Sequence, residues 1–378
     1  MKRSEKRILT THVGSLVRPP EVKALAKSGS GIDGYFETLQ RATAEVVQKQ
    51  AAVGLDIVSD GEFGKASWAN YILSRITGFE VRPNQLRRVE WLGRDLERFA
   101  DVIGRELPSV IGGRPTEACI APIEYSDREP IRRAIANFQM ALKPVTVEEA
   151  FLTAVAPAST AYDGVNEYYP TEKDYVFAVA EALRQEYLEI HQAGLLLQVD
   201  DAVFANMYDH LVQQSPERYR EWAQLRVDAL NHALRGIPED RVRYHICFGS
   251  WHVPHLADAE LSDIVPFILQ VNAGAYSIEA ANPRHEHEWR VWQNHKLPAG
   301  KILIPGVITH HTITVEHPRL VADRIVRFAK LVGPENVIAG TDCGFAQVDV
   351  IERVPAPVMW AKFEALVEGA ALATKELF

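Results

Sequence analysis

Eight short apolar runs alternate with helix-period segments, and His, Cys, Asp and Glu gather at the C-terminal ends of those runs. Together these features predict an α/β protein of the (β/α)8 TIM barrel class with an insertion after the second strand. Strands that are apolar on nearly every residue are buried on both faces, as in a parallel sheet covered by helices. Eight is the number that closes such a sheet on itself.

The first run, 8–15, ends in Thr10-Thr11-His12-Val13-Gly14-Ser15. A helical pattern over 35–53 follows and stops at Gly54, where a helix C-cap favours a residue free to take positive φ. The second run is 57–62. Residues 80–148 then break the alternation: Arg82 to Glu106 is charged and mixed, and 118–125 reads as one arm of a hairpin. This stretch is an inserted subdomain, placed either as a lid or at the periphery. The remaining runs are 151–157, 195–200, 243–247, 276–279, 302–307 and 337–342. Helical patterns at 172–193, 216–235, 260–272 and 319–332 separate most of them, with Gly194, Gly236, Gly274 and Gly333 just past the last turns. Residues 1–378 are therefore expected to form a single catalytic barrel domain with 80–148 inserted.

A formal net charge of -9 argues against nucleic acid as a partner, because phosphate binding needs a basic stripe. The basic start, Lys2 to Arg7, is not followed by a continuous apolar stretch, and no run approaches the roughly 18 residues of a membrane span. The expectation is a cytoplasmic protein with no membrane partner; a homo-oligomer is compatible with the sequence. Three cysteines cannot all pair, so a disulfide framework is not expected, and Cys119 reads as a structural thiol.

His245 and Cys247 are two residues apart, so on a strand both point the same way and reach one metal from one sheet edge. Glu279 and Cys343 end neighbouring strands. Two thiolates, an imidazole and a carboxylate form a four-ligand set that suits tetrahedral Zn2+ better than magnesium or calcium. A lone His-x-Cys pair is more often packed core; the recurrence of donors at matching strand ends favours the metal. The tract 283–290, rich in His and Glu, reads instead as a solvated helix start.

Seven pieces in order carry a family likeness: Thr11-His12-Val13-Gly14-Ser15, Gly54 to Phe63, Gln198-Val199-Asp200, His245-Ile246-Cys247, Ser277-Ile278-Glu279-Ala280, Gly306-Val307 followed by a histidine pair, and Thr341-Asp342-Cys343-Gly344-Phe345. The chain outside 80–148 resembles the catalytic barrel of cobalamin-independent methionine synthase and its short single-barrel relatives, including epoxyalkane:coenzyme M transferase. The resemblance implies that His245, Cys247, Glu279 and Cys343 bind zinc. It also implies that Ser15, Glu62 and Asp200 hold the amino-acid end of a homocysteine-like acceptor, Asp200 also taking part in catalysis. A histidine after the seventh strand is implied as general acid. Both His310 and His311 match, and on an extended segment the two point opposite ways, so that only one can face the metal.

The implied activity is zinc-dependent alkyl transfer, methyl first, from a small-molecule donor to a thiol. Departures bear on the donor: Asp200-Asp201 is followed by Ala202 rather than proline, and 155–162 lacks the family's pterin-stacking tryptophan, with Tyr162, Tyr168 or Tyr169 as substitutes. Folate is thus one candidate donor rather than the assigned one. Opening of an epoxide by a sulfonated thiol is the alternative, for which Arg18 and Lys65 are the candidate sulfonate partners. A zinc-free barrel of the uroporphyrinogen decarboxylase type and a non-catalytic zinc-binding protein are readings from other classes, and the Cys/His/Glu set weighs against the first.

Overall fold

The computed structural model describes residues 1–28, 34–162, 164–346 and 353–378. In chain order the strands are β1 (Leu9–Thr10), β2 (Ile57–Val58), β3 (Phe79–Arg87), β4 (Arg114–Cys119), β5 (Glu149–Val155), β6 (Gly164–Asn166), β7 (Leu196–Asp200), β8 (Val242–Ile246), β9 (Ala275–Ile278), β10 (Ile302–Ile308) and β11 (Ile338–Thr341). Eight of them form one parallel sheet in the order β1-β11-β10-β9-β8-β7-β5-β2. Helices run between the strands, and the protein is a (β/α)8 TIM barrel, with all eight expected strands in place. The seam between β1 and β2 is bridged by Asp56. Its N–H donates to the Thr10 carbonyl at 3.2 Å. Its carboxylate accepts from the Thr10 N–H at 2.8 Å and the Thr10 hydroxyl at 3.0 Å.

Because side chains alternate along a strand, every second residue points into the barrel. Leu9, Ile57, Phe151, Leu196, Ala275, Ile302, Ile304 and Ile338 plug the N-terminal end. Strand β8 contributes Arg243 to this layer. The guanidinium is fully buried, lies 3.9 Å from the Phe151 ring centre, and donates to Thr11 Oγ1 (3.0 Å) and the His12 carbonyl (2.9 Å). Two residues further along β8 stands His245, and two beyond that Cys247. The closed, greasy bottom thus aims the polar residues of the same strands at the opposite mouth.

Beside the barrel the chain adds a smaller sheet, in which β3 and β4, inserted between β2 and β5, pair antiparallel and β6, just after β5, pairs parallel to β4. Three short helices, Gly93–Arg98, Ala100–Glu106 and Pro108–Ile111, join β3 to β4. The expected hairpin arm at 118–125 is displaced: the strand ends at Cys119, and Pro122 has no N–H to give to a ladder. Helix Glu129–Leu142, which also falls within 80–148, packs against helices Tyr35–Val53 and Glu172–Gln192 on the outside of the barrel. Cys119 is buried, its thiol facing the Ala121 carbonyl at 3.6 Å.

The tract 283–290 is not a solvated helix start. His285 and Glu288 are buried, and only their neighbours reach solvent. His285 donates from Nε2 to Asp258 (3.1 Å) and from Nδ1 to Glu288 (2.9 Å), while Asp258 also accepts from His255 Nδ1 at 2.9 Å. Composition alone could not show that Asp258, on the preceding loop, lies between the two histidines. Burial opposes the charge on His285, but the hydrogen bonds to Asp258 and Glu288 outweigh it and push its pKa up to about 10. The folded value lies above the ordinary 6.5, so the stabilisation is fully present below about pH 6.5 and is lost as pH rises toward 10. His285→Gln should cost about 3 kcal/mol in urea unfolding at pH 6, since it removes the charged partner that Asp258 and the buried Glu288 share. The gap to wild type should narrow between pH 6.5 and 10. A gap that stays constant or widens over that range contradicts the assignment.

Candidate metal centre and its cavity

His245 and Cys247 leave the end of β8, and Cys343 follows β11. One ring nitrogen of His245 and the two Sγ atoms lie within 4.8 Å of one another, all three residues being buried. His245 turns Nδ1 toward Ser277 Oγ at 3.2 Å, while Nε2 is buried with no hydrogen-bond partner among the described residues. The hydrogen bond from Cys247, and then the neighbouring His245 ring, push the Cys343 thiol well below its ordinary pKa against the opposing effect of burial. Cys247 is pushed well up by the same bond and by burial. Ser250 Oγ donates to Cys343 Sγ at 3.2 Å. Two soft donors and an orphaned imidazole nitrogen held together out of water fit a thiophilic divalent ion, zinc foremost.

Glu279, the expected fourth donor, stands beside this trio rather than inside it. Its Oε1 accepts from the Phe248 N–H (3.1 Å) and its Oε2 from Asn282 Nδ2 (2.7 Å). With His310 and His311 it forms a second group whose ligand atoms lie within 4.8 Å of one another. The two histidine rings are 4.1 Å apart between centres. They do not point opposite ways as an extended segment would require, because β10 ends at Ile308 and the chain bends at both residues. His310 is fully buried with neither ring nitrogen hydrogen-bonded among the described residues, and burial followed by the His311 charge pushes its pKa well down. His311 places Nε2 3.8 Å from Glu279 Oε2.

The trio lies at the base of a cavity of about 300 Å³ that Ser15, Glu62 and Asp200 also line. Glu62 adopts a φ of 60°, accepts from the Thr153 hydroxyl and lies 4.0 Å from Lys65 Nζ. Asp200 accepts from Gln198 at 2.8 Å, and burial and then the Glu62 charge push its carboxyl up. An incoming cation would relieve that repulsion. Ser15 packs so tightly against the chain after Cys343 that a Cβ on Gly344 would fall 2.0 Å from Ser15 Oγ.

Arg18 does not line this cavity. It donates to the carbonyls of Ala346 (2.9 Å), Glu62 (3.2 Å) and Lys65 (2.6 Å), tying together the loops after β1, β2 and β11. Lys65 likewise turns away, to the Thr153 carbonyl (2.7 Å) and hydroxyl (2.6 Å). The cations on the cavity wall are Arg114 and Arg353, among walls that include Trp68, Trp91, Tyr162 and Trp251. Sequence reasoning singled out Tyr162 and missed the others. Trp251, four residues past Cys247, was the available signal. Trp91 and Arg114 come from the stretch after β2, held down where Arg94 meets Asp209 (N–H 2.7 Å, Nε 2.8 Å) and Asp95 accepts from the Leu256 N–H at 2.8 Å. Gly93 makes this possible, since a Cβ there would fall 2.3 Å from Asp209 Oδ2. The inserted stretch therefore forms part of the site's wall.

A (β/α)8 barrel with a cysteine-histidine cluster at its C-terminal mouth is the class that fold and site define. The sequence profile described as the catalytic domain of cobalamin-independent synthase matches residues 87–359, and the chain belongs to that family. The resemblance drawn from the sequence motifs is borne out. Methionine synthase of Thermococcus kodakarensis is 22% identical over 349 residues, covering 91% of this chain and 86% of its own. The 2-hydroxypropyl-CoM lyase of Xanthobacter autotrophicus is 23% identical over 370 residues, covering 90% and 86%. The structure of a B12-independent methionine synthase from Shewanella sp. W3-18-1, in complex with selenomethionine, superposes with a TM-score of 0.73 at 18% identity, covering 98% of this chain and 99% of that one. Among the described residues no helix is long and apolar enough to cross a membrane.

Gly344→Ala should displace Ser15 from the cavity wall and cost about 1–3 kcal/mol in urea unfolding, the range for overpacking a tight contact. Unchanged stability would show that the Ser15 contact is not as close as described.

Proposed function

We propose that this protein is a zinc-dependent thiol alkyltransferase acting as a methionine-synthase-like methyltransferase on a homocysteine-like acceptor. The observation that carries the reading is the convergence of His245, Cys247 and Cys343 at the base of a cavity whose wall also holds Ser15, Glu62 and Asp200. Glu279, which accepts from the Phe248 N–H and Asn282 Nδ2 beside the trio, would be the fourth residue to hold the ion. Zinc in such a set supplies one thing, a thiol held as its nucleophilic thiolate at neutral pH.

The remaining work belongs to the chain's own groups. Glu62 and Asp200 receive the acceptor's ammonium, with Ser15 beside them, and so orient the thiol toward the cluster. Asp200, pushed up by burial and by Glu62, returns to its ionised form when that ammonium arrives. A proton reaches the departing atom of the donor from His311, whose Nε2 lies 3.8 Å from Glu279 Oε2, while burial holds its neighbour His310 neutral. The tryptophan walls exclude water, which would otherwise compete for the electrophile. The chain as a whole serves as one catalytic domain, with the stretch after β2 completing the cavity. In this reading the protein works in the cytoplasm on two small molecules, the thiol and its alkyl donor.

A second reading, addition of a sulfonated thiol to an epoxide, is favoured by one observation: Arg114 and Arg353 line the cavity. A thiol panel separates the two by which acceptor is alkylated. The metal itself is tested by stoichiometry in purified protein. About one zinc per chain is expected, falling to well under half in Cys247→Ser, with alkyl transfer lost. Equal zinc content in the two proteins would overturn the ligand assignment.

A further inference from the structure

We infer that Lys362 is a positioning residue: through Glu316 it holds the chain leaving β10 in the bend that brings His311 against Glu279. The inference deepens the proposed function and rests on it only for the role of His311 as proton donor.

A lysine wholly shielded from water needs a partner, and the reaction itself makes no use of this one. Lys362 lies on helix Ala356–Leu377, and its Nζ donates to Glu316 Oε2 at 2.8 Å and to the Thr314 carbonyl at 2.5 Å. Glu316 is itself buried, and its other oxygen, Oε1, accepts from the Thr309 N–H at 2.8 Å. Thr309 is the first residue past β10, and its hydroxyl accepts from the His311 N–H at 3.2 Å. The buried ammonium is thus linked, one hydrogen bond after another, to the backbone of the histidine whose Nε2 lies 3.8 Å from Glu279 Oε2.

Hydrophobic packing does not hold this loop. Residues 312–315 are all exposed, Ile313 (64%) and Val315 among them, and from 312 to 317 only Glu316 is buried. The ion pair stands where an apolar anchor would otherwise be. Burying two charges adds little net stability, because desolvation offsets their attraction, whereas the directions of the hydrogen bonds select one geometry. Glu316 uses one oxygen for Lys362 and the other for Thr309, so its carboxylate cannot turn without releasing the bend.

Two variants separate positioning from plain stabilisation. Lys362→Met leaves the Glu316 carboxylate buried and unpaired. Combining it with Glu316→Leu removes both charges and also the acceptor for the Thr309 N–H. We expect the double variant to unfold at a higher urea concentration than the single one, and it carries the test if the single one does not fold. Amide exchange over 309–316, read by mass spectrometry, should run at least about tenfold faster than in wild type in both, with β10 and helix Ala356–Leu377 unchanged. This measurement needs neither metal nor substrate. Turnover of homocysteine with methyltetrahydrofolate should fall about 10- to 100-fold in kcat in both variants, at an unchanged KM for homocysteine. In a His311→Gln background neither change should lower kcat further. Loop exchange at the wild-type rate in the double variant overturns the inference. So does a kcat that returns to wild type together with the stability, since the pair would then be only structural, or a further loss of the same size in the His311→Gln background. An undiminished kcat in His311→Gln alone would instead remove the proton donor from the proposed function and leave the exchange result to decide the inference.

Discussion

The structure depends on one constraint: two sulfurs and an imidazole are held within 4.8 Å of each other, out of water, where the C-terminal ends of β8 and β11 come together. Left to themselves, such groups would separate or hydrate, because desolvated thiolate and orphaned nitrogen are both unfavourable. The barrel prevents this by geometry. Arg243 and His245 share one face of β8, with Cys247 directly after the strand's last residue, and Arg243 is locked among the apolar residues of the barrel floor. Asp342 accepts from the N–H groups of Ala280 and Ala281 at 2.8 Å each, fixing the chain before Cys343 to the end of β9. Gly306 lets this happen, since a Cβ there would meet Asp342 Oδ1 at 2.1 Å.

Above that base the cavity wall carries both signs of charge, Glu62 and Asp200 on one hand and Arg114 and Arg353 on the other. Tryptophans from separate parts of the chain line it too, and the piece carrying Trp91 is anchored by Arg94, Asp95 and Asp209. The loop after β8 is in turn tied down through His255, Asp258, His285 and Glu288. Rigid support of this kind is what a site needs if two small reactants are to meet in a fixed orientation.

Much of this was legible in the chain because it follows from short-range periodicities. Apolar runs announced the eight barrel strands, and the spacing of His245 and Cys247 announced a shared face. What was hidden is long-range. Nothing local to 283–290 says that Asp258 sits between His255 and His285, or that Glu288 caps the Leu261 N–H. The bend that brings His310 and His311 to the same side begins only where β10 ends, and strand alternation predicts the reverse. Arg18 was a reasonable anion ligand by sequence position, yet three carbonyls surround it. The cations that do line the cavity come from the stretch after β2 and from beyond β11, where no periodic pattern marks them.

The central claim is that these side chains share one divalent ion and leave it a place for an incoming sulfur. Zinc K-edge X-ray absorption on the loaded protein, before and after adding homocysteine, 2-mercaptoethanesulfonate and other thiols in turn, tests it most directly. The account predicts two sulfur neighbours at about 2.3 Å from zinc in the resting protein and three once the true acceptor is bound. A sulfur count that differs from two at rest, or that no thiol raises, would contradict it.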